Sequence, residues 1–151
     1  MIDIESKIFD TIFNAVTAND AYPNADVTTG YDEKTAVFPC VVVEEVNNSP
    51  PRRTNTDDCA ENYTRLTYEV SVYTDNLGSA KTTGKDILNI VDNALQGLKF
   101  RRIHRNKPLN IASTIFRQYG RWEVIVSKPI IRTDIVDGKS VETTVYQMYR
   151  R

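Results

Sequence analysis

The run Gly78-Ser-Ala-Lys-Thr-Thr-Gly84-Lys85-Asp86 joins a strand-like pattern to a helical one, which is where a phosphate-binding loop would sit. That loop needs four residues between its glycines and a Ser or Thr after its lysine, to cradle phosphate and hold magnesium. Here five residues separate the glycines and Asp86 follows Lys85, so the position that should coordinate magnesium opposes phosphate instead. The stretch reads as the start of a helix capped by Ser79, with Gly84 allowing close approach to a sheet.

His104 is the only histidine, and Arg101, Arg102, Arg105 and Lys107 around it disfavour its charged form. No nucleophile or carboxylate stands beside it, so it reads as a solvated histidine at a strand end rather than a base. Glu44 and Glu45 are adjacent on a strand and point to opposite faces, which excludes a carboxylate dyad. Asp57 and Asp58 fall in a polar loop, where general-acid chemistry is hard to preorganise. Cys40 and Cys59 lie 19 apart with no CxxC, which does not supply the closely spaced ligands zinc requires. Spacing alone leaves a pairing of the two open. Cys40 in an apolar strand and Cys59 in a polar loop are expected as free thiols, because no export signal points to an oxidising compartment. The expectation is therefore a chain with no catalytic, cofactor-binding or metal-ligating residues.

Charge is the remaining chemistry. The basic run Arg101, Arg102, His104, Arg105, Lys107, with Arg52-Arg53 and Arg150-Arg151, is the best candidate for an electrostatic contact. On a regular strand Arg101 and Arg105 share a face opposite Arg102 and His104, and no aromatics interleave them as single-strand binders require. An acidic protein surface suits the run better than nucleic acid, and a solvated edge that discourages strand-to-strand aggregation is the plainer alternative. Nineteen Lys and Arg against twenty Asp and Glu give a net charge of −1, not the basic excess that holds duplex DNA.

These residues need elements to position them. At 151 residues, 40% apolar and 26% charged, the chain fits one soluble globular domain and excludes a disordered or low-complexity one. No apolar stretch is long enough to span a membrane, and Met1-Ile-Asp-Ile-Glu-Ser does not read as a secretory signal. Ile4, Ile8, Phe9, Ile12, Phe13 and Val16 predict an amphipathic helix over 3–18, with Asp3 as N-cap. A loop over 24–34, with a short strand at Val27–Thr29, leads to a strand at Phe38–Val46 opened by Pro39. That strand's consecutive apolar residues predict cover on both faces. A polar arm over 47–62 then connects to a half-buried strand, Tyr63–Thr74, with Leu66, Tyr68, Val70 and Val72 inside. Arg65, Thr67, Glu69 and Ser71 are expected on its solvent face. A helix over Ala80–Leu95 ends at Gly97, and strands follow at Leu98–His104, Ile111–Tyr119 and Trp122–Ser127, with a turn at Gly120. Asp137-Gly138 between Ile130–Val136 and Ser140–Tyr149 signals a hairpin that projects from the body.

Order and texture together resemble the tail-terminator and tail-completion (head–tail joining) proteins of long-tailed bacteriophages, over residues 1–127. The carriers are Ile4-Glu-Ser-Lys-Ile-Phe-Asp-Thr-Ile-Phe, Phe38-Pro39-Cys40-Val-Val-Val-Glu-Glu-Val, Leu66-Thr-Tyr-Glu-Val-Ser-Val-Tyr-Thr and Ile87-Leu-Asn-Ile-Val-Asp-Asn-Ala-Leu. The resemblance implies an α+β fold with two helices on one face of a mostly antiparallel, mixed sheet; the C-terminal hairpin over 128–151 extends beyond the matched residues. It also implies a structural virion protein, assembled in the host cytoplasm, that forms a ring of six copies at the head-proximal end of the tail tube. Its partners would be its own copies, the tube protein and the head connector, with DNA threading the lumen unread. Arg52, Arg53, Asp57, Asp58, Arg101, Arg102, Arg105, Asp137 and Gly138 are the expected contact residues. Another neck component such as a stopper adaptor, a minor tail protein, a small α/β enzyme and a nucleic-acid module are the competing readings.

Overall fold

In a computed structural model of the protein, residues 1–51, 62–75, 78–112 and 114–149 are described. The first helix, α1 (Glu5–Thr17), buries Ile8, Ile12 and Val16 as the periodicity requires, with Phe9 packed at the rim. Phe13 departs from the expected stripe. It stays 42% exposed and stacks on Phe9. The N-cap position belongs to Ile4, but the Asp3 carboxylate still accepts the Glu5 N–H at 2.9 Å, satisfying one of the free donors of the first turn.

Strand β1 (Asp26–Thr28) runs parallel to β2 (Cys40–Ser49), which is antiparallel to β3 (Tyr63–Thr74). β2 continues three residues beyond the expected end at Val46, past a bulge between Glu45 and Asn47, so the arm begins later than its polarity indicated. Pro39 immediately precedes β2, where its missing N–H breaks no ladder. Helix α2 (Ala80–Gly97) follows, with Ser79 at the N-cap but no hydrogen bond from its side chain. Gly97 is its last helical residue, not the C′ residue that the sequence predicts. The C′ residue is Lys99 at φ 67°, and Phe100 N–H and Lys99 N–H return to Leu95 and Gln96 carbonyls, 3.0 and 2.9 Å away. This is a Schellman closure, with Phe100 and Leu95 both buried beneath it.

β4 (Arg101–Arg105) and the short β5 (Leu109–Asn110) both pair with β6 (Phe116–Ser127). Residues 116–127 form one continuous strand, so the turn expected at Gly120 does not exist. Gly120 instead leaves room for the Trp122 ring, and Gly84 does the same for the Gln118 side chain, so α2 seats closely on β6. The strand order is β1-β2-β3-β6-β4, and the helices pack on one face through a single cluster that includes Ile8, Ile12, Leu66, Tyr68, Leu88 and Trp122. The fold is α+β, with a mixed, mostly antiparallel sheet.

β3 differs from the half-solvated strand its alternation predicts. Lying centrally between β2 and β6, it buries Thr67, Glu69 and Ser71 as well as its apolar row. The last part of the chain is a hairpin of β7 (Ile130–Val136) and β8 (Lys139–Val145), forming its own two-stranded sheet. A third piece, β9 (Met148–Tyr149), returns to pair with Ile125 and Val126 of β6, which splits the expected strand 140–149 in two. Among the described residues no helix is long and apolar enough to cross a membrane.

Candidate interaction surfaces

The sheet face away from the helices carries a polar cluster centred on Glu69. Strand register sets Glu69 opposite Arg121, Ser71 opposite Tyr119 and Tyr73 opposite Arg117. Arg121 Nε donates to Glu69 Oε2 at 2.7 Å, and Arg117 Nη2 donates to Oε1 at 2.7 Å and to Ser71 Oγ at 3.0 Å. The Arg117 guanidinium lies 4.7 Å over the Tyr119 ring, and Tyr31 stacks on Tyr73 at 3.8 Å. The hydrogen bond and the charge of Glu69 raise the Arg121 guanidinium above its ordinary value. Burial raises the Tyr73 hydroxyl, while the Arg117 charge pulls the other way. Charge-assisted bonds tie β3 to β6, and the arginine stems cover what would otherwise be an open polar face. Sequence alone does not show this cluster, because a turn expected at Gly120 breaks the alternation Arg117, Tyr119, Arg121.

The basic run on β4 is rearranged by a bulge between Arg102 and His104. Because of the extra residue, Arg102 and Arg105 both turn toward α2, against the expectation that Arg105 shares a face with Arg101. Arg102 Nη1 bonds Asp92 Oδ2 at 3.2 Å, and Asp92 Oδ1 accepts the Trp122 indole N–H at 2.7 Å. Arg105 donates to Asn89 Oδ1 at 3.0 Å and to the Lys85 carbonyl at 3.3 Å. Beside it, Lys81, Lys85, Asn106, Lys107 and Gln118 line an open cleft of about 330 Å³. Arg101 and His104 are exposed, with His104 5.6 Å from the Tyr119 ring.

At the other margin Glu5, Thr29, Val43, Glu44, Glu45 and Val46 line a groove of about 560 Å³. Glu44 is exposed, whereas Glu45 Oε2 accepts the Tyr68 hydroxyl at 2.9 Å, which confirms that the two carboxylates point apart. Burial and that hydrogen bond hold the Tyr68 hydroxyl strongly protonated.

Asp137 and Gly138 sit at the tip of the hairpin with φ of 50° and 76°, as a two-residue primed turn requires. They are remote from the β4 run in the ladder, on a separate sheet. Arg52, Arg53, Asp57 and Asp58 lie outside the described residues, as do Cys59, Arg150 and Arg151. Cys40 is a free thiol, and burial pushes it up to about 11. Among the described residues no three His, Cys, Asp or Glu side chains come together as a metal site. What the fold defines is an α+β body with charged margins and a protruding hairpin. Comparison with known protein families and with curated proteins finds no match to this chain.

Proposed function

We propose that the chain is a self-assembling structural subunit of the head–tail junction of a long-tailed bacteriophage, acting as a tail terminator. In this reading its copies close a ring on the end of the tail tube, stop tube growth and offer a surface to the head connector. DNA passes through the lumen without base recognition.

The observation that carries the reading is the β7–β8 hairpin. Ile131 and Ile135 are 66% and 78% exposed on one face, while Ile130, Val136 and Val141 are exposed on the other. A two-stranded hairpin with branched aliphatic residues bare on both faces is marginally stable in water and favours aggregation unless something covers it. The body nevertheless grips it at both ends. Ser127 N–H donates to the Gln147 carbonyl at 2.9 Å, Gln147 N–H donates to Ser127 Oγ at 3.2 Å, and β9 pairs with β6. A firmly anchored projection with bare aliphatic faces fits a part that inserts between neighbours. Heterologous contacts of that kind build rings when the rotation closes. The element order that resembles the tail-terminator group supports the same reading.

The test is to inactivate the gene in the phage that encodes it and image the particles. Tails of uncontrolled length support termination. Filled heads lacking tails assign the subunit to the stopper position instead, and normal joined particles overturn the neck reading altogether.

A further inference from the structure

Resting on self-assembly, we infer that copies join head to tail through oppositely charged sheet margins, the β4 margin of one copy docking on the β2 margin of the next. The inference comes from how the ladder distributes charge. One row across the sheet runs Glu44, Glu69, Arg121, His104, and the adjoining row runs Glu45, Tyr68, Trp122, Arg102. Both rows start acidic on β2; on β4 the second ends in the Arg102 cation, with Arg101 and Arg105 on the same strand. Side chains beyond each end extend the polarity: Glu5 flanks β2, while Lys85 and Lys107 flank β4.

Both margins also have backbone to offer. β1 pairs with β2 only at Cys40, Val41 and Val42, so the length from Val43 onward has β3 on one side alone among the described residues. β4 likewise pairs only with β6. Open strand edges are ready templates for another chain, and the acidic groove lies directly along the open length of β2. The nearby opposite charges do not cancel the pattern. Lys7 stands beside Glu5 at the acidic end, and Asp86 at the basic end is turned to the Tyr22 hydroxyl at 3.4 Å. Asp92 offsets Arg102, which leaves Arg101, Lys85 and Lys107 without an ion pair among the described residues. A second copy supplies the complementary charge because the two patches sit on different strands at opposite sides of β3 and β6. Contact of one patch with a different patch on the next copy is the heterologous geometry a ring needs.

The experiment uses two reversed full-length chains, R101E/K107E and E5K/E44K, followed by sedimentation velocity at low and high salt. All four positions are exposed. Far-UV circular dichroism confirms that each variant is folded. Wild type is expected to associate, more weakly as salt rises. Each reversed chain alone sets like charges against each other, which should weaken association by roughly a hundredfold or more. Mixed in equal amounts, the two folded variants carry matched margins again and should co-assemble in alternation. A wild-type oligomer unmoved by either reversal, or folded variants that fail to co-assemble, overturns the margin assignment and leaves self-assembly standing. A wild type monomeric at every concentration in low salt overturns the margins as an interface sufficient by itself, while the neck reading stands or falls on the particle imaging.

Discussion

Trp122 lays its indole over Gly120, two residues earlier on the same strand. A Cβ at position 120 would stand 2.5 Å from the Trp122 ring, closer than any real contact. The ring cannot swing away freely, because it is 1% exposed and its N–H is held by Asp92 at 2.7 Å. Gly120→Ala should therefore cost about 1–3 kcal/mol by overpacking. Urea unfolding measures it, and a cycle with Trp122→Phe should recover part of the loss, because the shorter ring leaves room for the methyl group.

Glu69 is the one carboxylate between Arg117 and Arg121, and its side chain is only 7% exposed. Glu69→Gln keeps the shape but leaves two cations without their counter-charge, an outcome far worse than losing an exposed pair. The expected loss is about 2–4 kcal/mol, since partial exposure of both arginines softens the full penalty of a buried pair. Arg121 is 47% exposed, so Arg121→Ala should lose much less than Glu69→Gln. Thermal unfolding of the two variants ranks them. Equal losses would mean that Arg121, rather than the carboxylate, organises the cluster.

These two sites show where the sequence was legible. Ile8, Ile12 and Val16 recur at helical spacing, and Asp137-Gly138 needs positive φ at both residues, so α1 and the hairpin turn follow from local rules. Alternation along β3 identified which side chains share a face. It could not show that arginines from a strand 46–52 residues further on would cover the polar one. Gly120 carries two meanings, a turn or space for a neighbour, and only the position of Trp122 decides between them. The β4 bulge is equally silent in sequence, although it moves Arg105 to the helix side and leaves Arg101 behind. The charge polarity of the margins depends on strand order, which periodicity does not contain.

Lys99 holds the left-handed C′ position with φ 67°, while Gly97 lies inside the last turn of α2 with open space around it. Each residue has the other's preferred place. Lys99→Gly removes the steric cost of a side chain at positive φ, and Gly97→Ala removes the entropic cost of glycine in a helix. Each should add about 0.5–1 kcal/mol, and because both positions belong to one Schellman closure the double variant measures their coupling. Denaturant midpoints at unchanged slope check this. A destabilised Lys99→Gly would mean that the lysine side chain itself holds the Schellman closure.

The Cys40 thiol gives the protein a defined alkaline limb. Burial raises it from 9.0 to about 11, with the Asp26 charge adding to the effect. A raised native value means that the folded state holds the proton more tightly than the unfolded one. The stabilisation is therefore complete below about pH 9 and is lost as pH rises toward about 11. Tyr22, Tyr31, Tyr68 and Tyr73 are raised from 10.0 as well, so they add to the decline around and above that point in any variant that keeps them. The difference between wild type and a variant lacking the thiol, read from about pH 9 to 10, isolates the cysteine. Cys40→Val keeps a buried apolar side chain without a titrating proton. Between those two pH values the wild-type melting temperature should fall more steeply than that of the variant, and the curves should run parallel above about pH 11. Parallel curves through the lower interval would show that the thiol ionises in the folded protein as readily as in the unfolded chain.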